Sequence, residues 1–189
     1  MNLRYADLCR IHDTRMLPIT IRPIGLADLH QLQQIGRSTF AETFADGNTV
    51  ENMEHYLRDE FTDEKLTAEL ANAESRFYFA ETEQGIIGYL KVNLGQAQTE
   101  LRDERAVEIE RVYVLNAFHG QGVGQALYNK ALALAKDARA PYLWLGVWEH
   151  NPRAIAFYRK NGFVEFDKHL FTLGSDEQTD ILMRLELGG

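Results

Sequence analysis

The chain has almost no cysteine. Cys9 stands alone among 189 residues, which excludes an intramolecular disulfide and a thiolate zinc cluster. Proline is scarce as well, at four, and no Pro-, Gly- or Ser-rich stretch marks a linker between domains. Long apolar runs are missing. The longest clear one, Tyr142–Trp148, is far short of the ~20 residues that span a bilayer. The first residues, Met1–Arg15, lack the unbroken apolar stretch of a signal peptide, and Asp7 and Asp13 fit a transit peptide poorly. A cytoplasmic protein with no membrane partner is expected. Positive charge is in deficit, with 20 Lys and Arg against 28 Asp and Glu, a net charge of -8. Such a surface repels phosphate backbones, so no nucleic-acid partner is expected and a cationic one is favoured. The six histidines show no His-Glu-x-x-His or comparable ligand spacing, so no metal is expected.

Hydrophobic residues at 45% and charged residues at 25% are ordinary globular usage. The length fits one domain, 18–189, preceded by an extension over residues 1–17. Ile19–Arg22 reads as a strand. Leu29, Leu32 and Ile35 follow at helical spacing, and Asn48 and Thr62 are candidate N-caps of two further helices. Phe77–Ala80 and Ile86–Val92 form a hairpin through Glu83-Gln84-Gly85, and 95–105 is a polar loop. Strand Val107–Val114 leads through a glycine turn into a helix that Pro141 ends. Then come the buried strand Tyr142–Val147 and a helix opened by Asn151-Pro152 and closed by Gly162. The final strands are Phe163–Phe171 and Asp180–Leu187, joined by Gly174-Ser175-Asp176. The order β-α-α-α-β-β-β-α-β-α-β-β describes an α/β fold on a mixed sheet.

The turn His119-Gly120-Gln121-Gly122-Val123-Gly124 lies between a strand and a helix. Glycines there let backbone N–H groups turn towards an anion, and the helix adds its partial positive end, which suits a pyrophosphate. Gln125 breaks the dinucleotide pattern G-x-G-x-x-G, and no Lys-Ser/Thr follows to make a P-loop. Coenzyme A is a third pyrophosphate ligand. Its pantetheine arm has amides that could extend a sheet along Val112-Tyr113-Val114.

The stretch Glu108–Leu127 resembles the acetyl-CoA-binding block of the Gcn5-related N-acetyltransferases (GNAT), whose pattern is Gln/Arg-x-x-Gly-x-Gly/Ala. His119 departs from it at the first position. A second block, Trp148–Phe163, carries the family's Asn followed by Ala-x-x-x-Tyr-x-x-x-Gly-Phe. Phe40–Phe44, Gly88–Asn93, Ala97–Glu100, Leu145–Glu149 and Leu173-Gly174 with Gln178 and Asp180 resemble the PaiA-type polyamine acetyltransferases. The resemblance covers about residues 18–189. It implies a sheet splayed at the acetyl-CoA site, acetyl-CoA as co-substrate, and His119, Gly120, Gln121, Gly122, Val123, Gly124, Gln125, Asn151 and Lys160 around it with Val112–Val114 and Tyr158. It implies transfer of acetyl to a primary amine, a spermidine- or spermine-like polyamine, by direct attack in a ternary complex, in a monomer or homodimer. Another small amine, a peptide amine, or a non-catalytic CoA-binding module are the alternatives.

The chemistry sets requirements of its own. A primary amine of pKa near 10.4 costs about 4.6 kcal/mol to deprotonate at pH 7, so a base or relay water is needed. Glu108 and Glu110, two apart on a strand, share a face unless a bulge intervenes, and the resemblance makes them base or water-holder. Tyr158 matches the family's general acid for the leaving thiolate. Cys9 is the best nucleophile for a covalent route and lies in the extension, while no Gly-x-Ser-x-Gly is present. Residues 41–64 hold eight acids (Glu42, Asp46, Glu51, Glu54, Asp59, Glu60, Asp63, Glu64) and one base, Arg58. Glu42, Glu149 and Trp148 are the expected contacts to a cationic substrate.

Overall fold

A computed structural model describes residues 18–173 and 176–188. The expected extension over 1–17, with Cys9, and the Gly174-Ser175 turn fall outside these residues. The chain begins with β1 (Thr20–Pro23), then α1 (Leu29–Phe44), α2 (Val50–Glu60) and α3 (Asp63–Ala71). Strands β2 (Ser75–Thr82), β3 (Gly85–Leu94) and β4 (Val107–Val114) follow, then α4 (Val123–Asp137), β5 (Tyr142–Trp148), α5 (Pro152–Lys160), β6 (Val164–Leu173) and β7 (Asp176–Glu186). This is the α/β order the sequence leads one to expect, on a seven-stranded sheet ordered β1-β2-β3-β4-β5-β7-β6.

Local chemistry sets most boundaries. Thr49 caps α2, accepting from Asn52 N at 3.2 Å, and Thr62 caps α3, accepting from Lys65 N at 3.2 Å. The Asn48 expectation is therefore off by one. Its side chain instead donates back to Phe44 O at 2.9 Å, so the hydroxyl next in line takes the cap. Asn151 caps α5 through Ala154 N at 3.0 Å. The last two strands run longer than their hydrophobic spans, because cross-strand pairing carries the polar residues from Leu173↔Asp176 onward.

Two cores sandwich the sheet. One face packs α4 and α5 over Val92, Ile109, Leu127, Leu143, Leu145 and Tyr158. The other packs α1–α3 over Phe40, Phe44, Phe77, Phe79 and Tyr89. The loop expected to be merely polar is pinned: Gln98 is 1% exposed, accepts from Trp144 Nε1 at 2.7 Å and donates to Gly95 O and Asp103 O.

Two irregularities in β4 position the site. Against β3 the register jumps between Lys91↔Arg111 and Val92↔Ile109, so Glu110 is an extra, bulged residue. Against β5 the parallel ladder covers only Val107↔Leu143, Glu108↔Trp144 and Ile109↔Leu145. Past Ile109 the two strands diverge, and among the described residues the β5-facing edge of Val112–Val114 has no strand beside it.

Candidate active site

The divergence of β4 and β5 opens a cavity of about 330 Å³, lined by Val112, Tyr113 and Val114 from β4, Trp148 from β5, Asn151, Arg153, Ala154, Phe157 and Tyr158 at and on α5, and Glu42 and Thr43 from α1, with Asn116, His119, Gly124 and His150. An inner chamber of about 80 Å³ shares Thr43, Val112, Tyr113, Trp148, Asn151, Ala154 and Tyr158 and adds Phe44, Ile109, Glu110, Gly146 and Val147. The cavity thus runs between the diverging strands, from the α4–α5 side through to Glu110 on the α1–α3 side.

The outer end suits a phosphate-bearing ligand. Gly120 and Gly122 have φ of +76° and +84°, a backbone that L side chains rarely adopt. A Cβ at Gly120, Gly122 or Gly124 would meet nothing within 4 Å, so the loop faces open space. Gly122 stands at the N-cap of α4 and no side chain among the described residues caps that helix, leaving its first N–H groups available. Arg153, which sequence reasoning passed over, adds a cation. Its guanidinium meets His119 Nδ1, while His119 Nε2 lies 2.8 Å from Val114 O. Burial lowers the His119 pKa, and Arg153 adds to that. The free edge of β4 offers backbone groups to an amide-bearing arm. These features fit coenzyme A. Of the residues expected around it, Val112, Tyr113, Val114, His119, Gly124, Asn151 and Tyr158 line the cavity. Gly120, Gln121 and Gly122 shape the loop without lining it, Val123 is buried beneath it, Gln125 bonds Asn129 and Asn161, and Lys160 is exposed at the end of α5.

Tyr158 is 8% exposed and lines both chambers. Burial holds its phenol well above the usual tyrosine range, so it carries its proton at all working pH values. Asn151 spends its oxygen on the α5 cap and keeps its amide N–H groups free to donate.

The two glutamates are not equivalent. Glu108 is 2% exposed and accepts from Asn93 Nδ2 at 3.1 Å and from Thr99 N at 2.9 Å and Oγ1 at 2.5 Å. Burial raises its pKa against these bonds, and it lines neither chamber. Glu110, displaced by the bulge, lines the inner chamber. Its carboxylate lies 2.6 Å from Lys91 Nζ and 2.9 Å from an Arg111 nitrogen. Burial pushes its pKa up, but Arg111 and Lys91 outweigh that and hold it below the ordinary value.

On the α1–α3 side an aromatic wall bounds the chamber, with the Phe44 ring 5.4 Å from Trp148 and 6.5 Å from Tyr113. Gly47 allows it: a Cβ there would fall 2.9 Å from the Trp148 ring. Trp148 Nε1 and Gln178 Oε1 are buried without a partner among the described residues. Asp180, opposite Trp148, places Oδ2 3.3 Å from where a Gly146 Cβ would stand. Burial raises its pKa to about 6, with His169 opposing and Glu100 adding to the rise. Glu42 lines the outer chamber and accepts from Asn116 N at 2.7 Å. Glu149 lines neither chamber, and its carboxylate is 4.0 Å from Lys168 Nζ. Of the eight acids in 41–64, Glu42 alone lines a chamber among the described residues; Glu51, Glu54, Asp59, Asp63 and Glu64 face solvent. Sequence patterning gave Asp180 no role of its own, because its signal is cross-strand: a carboxyl opposite a tryptophan and beside a glycine on the neighbouring strand.

Comparison with known proteins agrees with this architecture. The model of the acetyltransferase (GNAT) family matches residues 29–163. An uncharacterized N-acetyltransferase of Lactobacillus delbrueckii subsp. lactis is 38% identical over 91% of this chain and 99% of its own. The spermidine N(1)-acetyltransferase of Thermoplasma acidophilum is 26% identical over 85% of this chain and 94% of its own. The crystal structure of the PaiA N-acetyltransferase of that organism, in complex with coenzyme A, superposes with a TM-score of 0.73 at 25% identity, covering 90% of this chain and 99% of the other. The diverging strands, the glycine loop before α4 and the match across both blocks lead to one assignment: the chain belongs to the GNAT family and is an N-acetyltransferase that uses acetyl-CoA.

Proposed function

We propose that the protein acetylates a cationic primary amine, with a polyamine such as spermidine or spermine as its substrate, by direct attack in a ternary complex. The observation that carries this is the inner chamber, which sets Tyr158 and Glu110 on one continuous cavity. The thioester enters from the α4–α5 side and the amine from the α1–α3 side. The amine nitrogen attacks the thioester carbonyl carbon, and the carbon–sulfur bond breaks. Tyr158 gives its proton to the departing thiolate, whose pKa is about 8.5 by analogy with cysteine, and regains one through water from the nitrogen, which loses its second proton as the amide forms. The ammonium proton leaves through water held at Glu110. A carboxylate ionised at every working pH is a weak direct acceptor but a firm anchor for water and cation. Glu108, with three donors on its carboxylate, holds the 95–105 loop on this view and takes no proton.

The polyamine assignment draws support from the Thermoplasma spermidine N(1)-acetyltransferase relative, from the net charge of -8 and from acids in and around the chambers, of which Glu110 and Glu42 line them and Asp180 and Glu149 do not. Asp180 and Glu110 flank the aromatic wall, Glu42 stands at the outer mouth, and Glu149 lies just beyond it. On this reading the protein works in the cytoplasm. The test is release of free CoA from acetyl-CoA with spermidine, spermine, putrescine, lysine, an aminoglycoside and a peptide N-terminus as acceptors. Turnover strongest on spermidine or spermine is expected. Turnover confined to another amine would discard the polyamine and keep the acetyl transfer.

A further inference from the structure

The α1–α3 face of the sheet buries a ring of four charges. Lys91 on β3 and Arg111 on β4 are direct cross-strand partners, and like charges so placed repel. Two carboxylates stand between them. Glu110 reaches Lys91 Nζ at 2.6 Å and Arg111 at 2.9 Å. Glu69, from α3, meets Arg111 through two 2.9 Å hydrogen bonds and Lys91 Nζ at 3.2 Å. The side chains are 6% exposed for Lys91, 15% for Arg111 and Glu110 and 16% for Glu69. Glu69 lines neither chamber.

Stability alone gives little reason for such a ring, because buried ion networks are often matched or bettered by apolar packing. Charge counting gives a stronger one. Without Glu69, Glu110 would face two cations by itself, and the ring beside the inner chamber would carry net positive charge. An ammonium group would be repelled where it must lose its proton. With Glu69 the ring sums to zero.

We propose that Glu69 is a positioning residue for the acceptor: held on α3 outside the cavity, its carboxylate supplies the counter-charge that lets a cationic amine approach Glu110. This rests on the proposed reading that the acceptor is a cationic amine. It makes opposite predictions for two neighbours in one ring, which structural damage would not.

The experiment is steady-state kinetics of wild type, Glu69→Gln, Lys91→Gln and the double variant, with spermidine and with a monoamine. Glu69→Gln leaves an excess cation and raises the spermidine KM about tenfold, with the acetyl-CoA KM nearly unchanged and a smaller effect on the monoamine. Lys91→Gln leaves an excess anion and moves the spermidine KM below wild type. The double variant is neutral again and returns close to wild type. If Glu69→Gln folds poorly, Glu69→Asp keeps the charge and is expected to keep the wild-type spermidine KM. Spermidine KM rising alike in both single variants, or highest in the double, would overturn the inference while leaving acetyl transfer to amines intact. A wild-type protein that acetylates no amine in the panel would overturn the proposed function and this inference together.

Discussion

Residue by residue, the proposed mechanism turns on Tyr158 and the proposed amine site on Asp180. On that mechanism Tyr158→Phe removes the proton donor and leaves the ring packed on Phe157 and Phe163. A drop in kcat of about a hundredfold is expected, in the range of one general acid, with acetyl-CoA binding by calorimetry nearly unchanged. Unaltered turnover would remove Tyr158 from the mechanism. Asp180 carries a different signature. Its folded pKa of about 6 lies above the ordinary carboxyl value, so the folded chain binds more protons than the unfolded chain between those two values. Ionised Asp180 therefore costs stability as pH rises through that window, and the cost persists above it. Asp180→Asn is expected to raise the melting temperature at pH 8 and to lose that advantage by about pH 4. The same substitution is expected to raise the amine KM several-fold at pH 8, and the wild-type amine KM is expected to rise below about pH 6 as Asp180 takes its proton. Gain of stability with loss of amine affinity would separate a binding carboxylate from a structural one. Residue identity alone singled out Tyr158, Asn151 and the β4 edge, because a motif fixes their order along the chain, and the fold brings them to one cavity. It could not separate Glu108 from Glu110. A period of two places both on one face, and Asn93 Nδ2 does donate to both; what separates them is Thr99 on Glu108 and the Lys91 and Arg111 cations on the bulged Glu110, which only the pairing with β3 brings together.

Elements were the most legible level. Helices announced themselves by spacing and caps, and strands by apolar runs. The misplaced α2 cap shows the resolution of such reading: Asn48 and Thr49 are both good caps, and two hydrogen bonds decide between them, Asn48 donating to Phe44 O and its oxygen accepting from Gln178 Nε2. What the sequence alone cannot show is where β4 leaves β5, since no single residue encodes a ladder that stops at Ile109↔Leu145. The glycine loop, by contrast, was readable and carries a prediction at this scale. Gly122 has φ +84°, so Gly122→Ala forces a β-carbon into the left-handed region at a cost of about 1–2 kcal/mol. The open space ahead of it means that the strain falls on loop geometry and not on packing. The acetyl-CoA KM is expected to rise several-fold, with the amine KM changed little. Equal loss for both substrates would mean that α4 itself had shifted.

Taken as a whole, the molecule is an anion of net charge -8 that, on the proposed polyamine reading, collects two substrates of opposite sign. A polyamine is drawn towards it from a distance, whereas acetyl-CoA, itself polyanionic, is repelled until it meets the local positive end of α4 and Arg153. Screening acts on these two attractions differently. At about 10 mM salt the Debye length is roughly 30 Å, long enough for the whole surface to act; near 0.15 M it is roughly 8 Å, and only nearby charges count. The buried ring around Glu110 is shielded from salt, but the exposed acids of α2 and α3 are not. Raising salt across that range is therefore expected to increase the spermidine KM several-fold, more for spermine and less for a monoamine, because the lost attraction grows with the acceptor's charge. The acetyl-CoA KM is expected to hold or fall over the same range, since salt weakens a repulsion there. Steady-state kinetics at constant pH would read both trends. A spermidine KM indifferent to salt would place the whole of its recognition in and beside the chamber, on Glu110, the aromatic wall and Asp180 next to it, and would leave the acidic surface of the early helices with no part in capture.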